Sequence, residues 1–233
     1  MSVAWRWSGE ALLLDLDGTL VDSAAAIERH TLLWAQRHGL DGAAVVEASH
    51  GRRDVEVVRL VAPWADVDRE AAWLHRISCD DTEDVVAVPG AADLLAALPA
   101  DRWAVVTSAA REVALARLAA AGLPVPRDLV CSEDVAHGKP APEGYLRGAD
   151  LLGVASGRCL VAEDAAAGVA AGSAAGATVL SVAPHVLAGA AHGTVDLRGV
   201  VAHVDGAGVT VTAGGRAPDA PTGTPAASRV AAR

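Results

Sequence analysis

Six consecutive residues, Asp15-Leu16-Asp17-Gly18-Thr19-Leu20, set two carboxylates two positions apart at the end of a short apolar run from Glu10 to Asp15. If that run is a strand, both acids point to the same side of the chain. They then stand at the carboxyl end of a sheet, where doubly wound folds bind ligands. Other readings exist. An Asp-Gly turn accounts for Asp17-Gly18, and a calcium loop contains such a pair, but that loop wants glycine sixth and an acid twelfth, where this chain has Leu20 and Ala26. What ends the other apolar runs narrows the choice. Val105-Val106 leads to the hydroxyl of Thr107, Lys139 sits between Gly138 and Pro140, and Val161-Ala162 leads to Glu163-Asp164. Singly, Thr107 reads as a helix cap and Lys139 as a solvated charge. An acid, a hydroxyl, a lysine and a second acid converging on one rim read as a site.

Asp15, Asp17, Glu163 and Asp164 cannot crowd together unassisted, because two unit charges ~4 Å apart repel by about 4 kcal/mol at an effective dielectric near 20. A hard divalent cation resolves the repulsion, and an all-oxygen donor set points to Mg²⁺ rather than zinc. Mg²⁺ and Lys139 together make a positive pocket for a phosphoryl group, beside which a carboxylate is a nucleophile for phosphoryl transfer. Lys139 is the only lysine, Gln36 the only glutamine, and asparagine is absent, a pattern of GC-rich codon usage that writes Arg for Lys. A lysine kept under that bias points to chemistry needing a compact point charge, which arginine cannot supply.

The elements that must position these groups follow from periodicity. Short apolar runs at Glu10–Asp15, Trp103–Thr107, Leu129–Cys131, Cys159–Ala162 and Thr178–Val182 predict five strands. Helical spacing lies between them, at Leu115, Leu118, Ala119 and Gly122 and again at Tyr145, Ala149 and Leu152, where Pro142 can open the helix. Alternation of strand and helix predicts an α/β fold with a doubly wound parallel sheet. From about Asp22 to Val86 the alternation stops: Ile27, Thr31, Trp34 and His38, then Val55, Val58 and Val61, then Ala72, Trp73 and Ile77 are all helically spaced. The expected organisation is a core of residues 1–20 and 87–212 with an inserted helical module at 21–86. Val200–Val204 and Val209–Val211 read as a terminal hairpin, and 213–233, rich in Gly, Pro, Ala and Thr, as a disordered tail. Gly168, Gly172 and Gly176 read as a small-residue helix face pressed on the sheet.

The 233 residues are 52% hydrophobic and 21% charged, which excludes disorder over most of the length. A formal charge of −10 repels a polyanionic duplex, so nucleic acid is not an expected partner. Cys79, Cys131 and Cys159 lack CxxC spacing and read as reduced thiols of the cytoplasm. The start of the chain lacks a secretory apolar region, and the uncharged stretch from Ala165 to Pro184 is too rich in Ala and Gly for a membrane helix. A cytoplasmic monomer or weak homo-oligomer is expected.

With DxDGT, a strand-end Thr107, Lys139 before proline and the Glu163-Asp164 pair present in order, the chain resembles the haloacid dehalogenase superfamily over roughly residues 10 to 212. The helical insert is similar to that family's type-1 cap. His50-Gly51-Arg52-Arg53, Val88-Pro89-Gly90-Ala91, Trp103 to Ser108, and Gly138-Lys139-Pro140 running on to Tyr145-Leu146 resemble small sugar-phosphate and polyol-phosphate phosphatases of bacteria and yeast. The chain departs from them in having Ala166 where proline is expected and Ala109 where glycine is common. The resemblance implies that Asp15 attacks phosphorus to form an aspartyl-phosphate, and that Asp17 protonates the leaving alkoxide and then activates water. It also implies that Thr107 and Lys139 hold the phosphoryl oxygens. Asp15, the backbone carbonyl of Asp17, and Asp164 would bind Mg²⁺, with Glu163 a ligand or supporting acid. Gly18, Thr19, Ser108, His50, Arg52 and Arg53 would contact the small phosphorylated metabolite, although Arg52 or Arg53 reads equally as a solvated helix charge.

Within that superfamily a dehalogenase needs no acid at Asp17, and a phosphonatase needs a cap lysine that this chain lacks. A sugar phosphomutase carries a histidine twelve residues past the nucleophile, where Ile27 stands. A phospho-receiver signalling domain uses similar groups, but the acids following Lys139 and the helical insert speak against it. Filled reactive positions speak against a non-catalytic phosphate binder.

Overall fold

A computed structural model of the chain describes residues 3–184, 187–206 and 208–214. In chain order its elements begin with β1 (Val3–Gly9), β2 (Ala11–Leu14) and β3 (Val21–Asp22), then α1 (Ala24–His38), α2 (Gly42–Ser49), α3 (Asp54–Val61) and α4 (Val67–Asp80). β4 (Val86–Ala87), α5 (Ala91–Ala96), β5 (Trp103–Val106), α6 (Arg111–Ala120), β6 (Leu129–Val130) and α7 (Glu143–Leu152) follow. β7 (Cys159–Glu163), α8 (Ala166–Ala174), β8 (Thr178–Val182), β9 (His192–Thr194), β10 (Val200–Asp205) and β11 (Gly208–Gly214) complete it.

Runs such as Ala11-Leu12-Leu13-Leu14 lack polar alternation because both faces of their sheet are covered. Leu12, Leu14, Trp103, Val105, Leu160 and Ala162 pack into one buried cluster, and Ala11, Leu13, Ala104, Val106, Cys159 and Val161 into another on the opposite face. The strands join in the order β6-β5-β2-β7-β8-β9, every pair parallel. The chain therefore winds outward from β2 to β6, returns, and winds outward the other way from β7. The strand order reverses beside β2, the place in such a sheet where a crevice opens.

The five expected strands are present, and the structure adds four that periodicity did not predict: the short pair β3 and β4, together with β9 and β1. β9 is a sixth parallel strand at the sheet edge. β1 joins the expected terminal hairpin to make an antiparallel sheet of order β1-β11-β10. Its signal was there, since Trp5 and Trp7 alternate with Arg6 and Ser8. Trp5 stacks on His192 with ring centroids 4.8 Å apart, tying this small sheet to β9. β11 runs on to Gly214, past the expected start of the tail at 213; the rest of that tail lies outside the described residues.

The expected helical insert is α1 to α4, entered and left through the antiparallel pair β3 and β4. It has its own apolar cluster of Trp34, Ala35, Val45, Val57, Val58, Ala62 and Leu74. One helix face was misread. In α6 the buried stripe is Val113, Ala114, Arg117 and Leu118; of the expected Leu115, Leu118, Ala119 and Gly122 only Leu118 is buried, so that spacing is turned from the true face. That error hid a buried arginine. Of the expected small-residue face, Gly168 packs on Glu163 at the end of β7 and Gly172 on Val161 and Val179, whereas Gly176 lies past the end of α8, exposed and with open space beside it. Among the described residues no helix is long and apolar enough to cross a membrane.

Candidate active site

The reversal in strand order places the ends of β5, β2 and β7 side by side. The backbone N–H of Asp15 donates to the carbonyl of Ala162 at 3.0 Å, which extends the β2–β7 ladder one residue and fixes Asp15 beside Glu163 and Asp164. Thr107 stands one residue past β5 and is buried. Its Oγ1 accepts the N–H of Ala109 at 3.0 Å. Lys139 arrives from the loop before α7 and donates from Nζ to Asp15 Oδ1 and to Glu163 Oε1, each at 2.5 Å.

Glu163 is 1% exposed and fully engaged. Besides Lys139 it accepts the hydroxyl of Tyr145 at 2.7 Å and the N–H groups of Asp164 and Ala165 at 3.0 and 3.1 Å. The sequence places Tyr145 on a helix face and in the stretch running on from Gly138-Lys139-Pro140, with no sign of a partner for its hydroxyl. It closes the floor of the site, its ring centroid 5.3 Å from Lys139 Nζ.

Asp17 faces elsewhere. Its Oδ1 accepts the hydroxyl of Ser23 and its Oδ2 accepts Nη1 of Arg117, both at 2.6 Å. Neither partner was foreseen; an acid–arginine pair separated by 100 residues leaves no local trace in sequence. The two carboxylates of DxD are thus divided, one held by an ammonium among acids and the other by a guanidinium at a chamber wall.

That chamber, about 690 Å³, opens between the rim and the helical insert. Asp15, Asp17, Gly18, Thr107, Ser108, Lys139, Glu163 and Asp164 line its rim side, and His50, Arg52 and Asp54 its helical side. Two expected contact residues are not brought to it. Arg53 binds Glu56 and donates to the carbonyls of Val135 and Ala136 at 3.1 and 3.2 Å, because those acceptors in the loop before Lys139 lie nearer than the chamber. Thr19 is wholly buried beneath the rim, its hydroxyl without a partner among the described residues. Arg52 lines the chamber but donates back to the carbonyl of Ala48 at 2.8 Å, and His50 is 65% exposed. Ser108 donates to the carbonyl of Gly51 at 2.9 Å, a link between rim and insert.

The electrostatics of the rim show what is missing from it. Burial pushes the carboxyl of Asp15 well up; Lys139 opposes this, and the charges of Glu163 and Asp164 add to it. Asp164 is pushed up to about 7, by burial first and by Glu163 second. Burial works against the Lys139 ammonium, yet Asp15 and Glu163 hold it above the usual lysine range. Ionised together, three carboxylates against one ammonium would leave two negative charges uncompensated. Carboxylate oxygens of Asp15, Glu163 and Asp164 lie within 4.8 Å of one another. Gly18, with φ +83°, lets the backbone pass beside Asp164, whose carboxylate fills the space a Cβ would take. An all-oxygen cradle short of two positive charges fits Mg²⁺.

The family model for haloacid dehalogenase-like hydrolases matches residues 10–176. The chain belongs to the haloacid dehalogenase-like hydrolases. Among curated relatives of this hydrolase, hexitol phosphatase A of Escherichia coli (strain K12) is 45% identical over 181 residues, covering 74% of this chain and 82% of the relative. Glycerol-1-phosphate phosphohydrolase 2 of Saccharomyces cerevisiae is 34% identical over 188 residues, covering 74% of each. A haloacid dehalogenase family hydrolase from Deinococcus radiodurans, solved with bound phosphate and sodium, superposes with a TM-score of 0.54 at 29% identity, covering 74% of this chain and 80% of that one. Phosphatases of this family generally use Mg²⁺.

Proposed function

We propose that this hydrolase removes the phosphoryl group from small sugar or polyol phosphates, with Asp15 as nucleophile and Asp17 as acid and base. The division of the two carboxylates carries the reading. Asp15 lies against Lys139 at the acid cluster, while Asp17 is aimed by Ser23 and Arg117 at the chamber, where a leaving alcohol would stand.

In the first step a carboxylate oxygen of Asp15 bonds to phosphorus as the ester bond breaks, and protonated Asp17 gives its proton to the departing alkoxide. In the second, Asp17, now a carboxylate, takes a proton from water, which attacks phosphorus and releases phosphate with Asp15 restored. Lys139 and the Thr107 hydroxyl hold phosphoryl oxygens through both steps, and Glu163, Tyr145 and the two N–H groups beneath keep Lys139 pointed at them. Asp15, Asp164 and the backbone carbonyl of Asp17 would hold Mg²⁺, with Glu163 supporting from below. When bound, the ion neutralises charge on the phosphoryl oxygens.

The helices of 21–86 act as a cap whose wall sets the alcohol. The chamber volume suits a small metabolite. Glu28, His50, Asp54, Ser78 and Arg117 offer partners to hydroxyl groups along it. Ile27 lines it where a mutase would present an imidazole, which favours hydrolysis over internal transfer. The likeness to hexitol and glycerol phosphate phosphatases supports the same class of alcohol. Free thiols at Cys79, Cys131 and Cys159 suit a reducing cytoplasm.

Phosphate release measured over hexitol, hexose and glycerol phosphates, a nucleotide and a folded phosphoprotein, each with Mg²⁺ and with chelator, tests the proposal. Polyol and sugar phosphates turn over best and only with the metal. Efficient action on the phosphoprotein, or none on any polyol or sugar phosphate, overturns it.

A further inference from the structure

Outside the chamber, three chemically reactive side chains meet between the helical insert and the sheet domain. His75 and Cys79 stand one turn apart on α4 and face Glu112 in the first turn of α6. His75 Nε2 lies 2.8 Å from Glu112 Oε2 and 3.8 Å from Cys79 Sγ, and one donor atom from each residue lies within 4.8 Å of the other two. None of the three lines the chamber, and the proposed reaction uses none of them.

An imidazole, a thiol and a carboxylate at these separations are a three-ligand set for tetrahedral Zn²⁺, with a fourth position left to water. The set differs in kind from the all-oxygen cradle at the rim, and thiolate donors select against Mg²⁺. The cluster is accessible, with Glu112 exposed and His75 and Cys79 partly so, whereas Cys131 and Cys159 are buried. Burial, followed by the negative charges of Glu112 and Asp80, pushes the Cys79 thiol up. A cation placed there would reverse that penalty, and the thiol proton would leave to solvent as the metal–sulfur bond forms.

We propose that His75, Cys79 and Glu112 form a second metal site, for a thiophilic divalent cation of the Zn²⁺ class, that ties α4 to α6. Because α4 belongs to the insert and α6 to the sheet domain, the bound ion clamps one against the other. On the reading that the insert is a cap that must open to exchange substrate and product, the clamp slows turnover.

The full chain is titrated with Co²⁺ and with Zn²⁺ in excess Mg²⁺, alongside Cys79→Ser, His75→Ala and Glu112→Gln. Co²⁺ gives a thiolate charge-transfer absorption that saturates at one ion per chain and that Zn²⁺ abolishes. Zn²⁺ shields Cys79 from alkylation, located by peptide mass spectrometry. Cys79→Ser shows no such band, and the other two variants need at least ~10-fold more metal. A missing band with Cys79 alkylated at the same rate with and without Zn²⁺ overturns the site. Zn²⁺ also lowers kcat in the native chain and not in Cys79→Ser; equal inhibition of both overturns the clamp. These spectroscopic and alkylation results do not depend on turnover, so failure of the phosphatase reading, seen as no phosphate release without Zn²⁺, is distinguished from failure of the site.

Discussion

Gly168→Ala is the perturbation whose consequence the structure defines most sharply. In isolation the change favours a helix, by about 1 kcal/mol in a helix interior. Here, though, the carboxylate of Glu163 occupies the space where the new methyl group would go. Helix α8 cannot slide along the sheet to make room, because Gly172 one turn later already packs closely on Val161 and Val179. The Glu163 carboxylate must therefore leave its four partners, Lys139, Tyr145 and the N–H groups of Asp164 and Ala165. Breaking a buried ion pair costs about 3–5 kcal/mol. Less the helical gain, the variant is about 2–4 kcal/mol less stable, or on the order of 10 °C in Tm at ~2–4 °C per kcal/mol for a domain of this size. Turnover falls as well, since Lys139 keeps Asp15 but loses the acid that aims it, and a shift of ~1 Å in such a group costs about 10²-fold. Thermal melting and kcat on a sugar phosphate are measured beside Gly172→Ala, which carries the same helical gain but meets only apolar side chains. A Gly168→Ala protein that melts at or above the native temperature with native kcat would refute the packing of Glu163 on α8 and the positioning role built on it.

Asp17→Asn keeps the contacts to Ser23 and Arg117 in outline but neither gives nor takes a proton, so turnover of a sugar phosphate drops by ~10²–10⁴. With an aryl phosphate, whose leaving group departs unaided, mass spectrometry finds a phosphoryl adduct on Asp15; native rates on both substrates would remove Asp17 from the mechanism. Lys139→Arg loses most activity although charge is kept, because a planar fork cannot sit at 2.5 Å from both Asp15 and Glu163 within the same buried space, and near-native kcat would contradict this. In the metal-free protein Asp164 holds its proton up to about pH 7 when folded, against 3.8 when unfolded. That proton's contribution to stability is present below 3.8 and lost as pH rises through about 7, so stability falls across the window and Mg²⁺ raises Tm more at pH 8 than at pH 5. An Mg²⁺ effect on Tm that is equal or larger at pH 5 would contradict the assignment of Asp164.

What sequence could and could not reveal divides along a physical line. Asp15, Asp17, Thr107, Glu163 and Asp164 were legible because they are fixed at the ends of three strands, β2, β5 and β7. A buried parallel strand announces itself as a short apolar run, and the polar residue that ends it must lie at the carboxyl rim whatever the rest of the chain does. Lys139 was legible by its chemistry, as one ammonium in a chain that otherwise uses guanidinium. Arg117, Ser23 and Tyr145 were not, because their roles arise from the approach of one element to another. Arg117 sits in a helix whose apolar pattern admits two faces, and only the packing of α6 under the rim decides that its guanidinium meets Asp17. Arg53 shows the converse. Its place beside His50 in the chain suggested the chamber, yet the carbonyls of Val135 and Ala136 were nearer, so it braces the loop that delivers Lys139. The groups proposed to exchange bonds and protons are thus written locally at strand ends. Those that aim them, Glu163 and Tyr145 for Lys139 and Ser23 and Arg117 for Asp17, act across the fold, and for that reason the sharpest tests of the site lie as much in Gly168 and Arg117 as in the acids themselves.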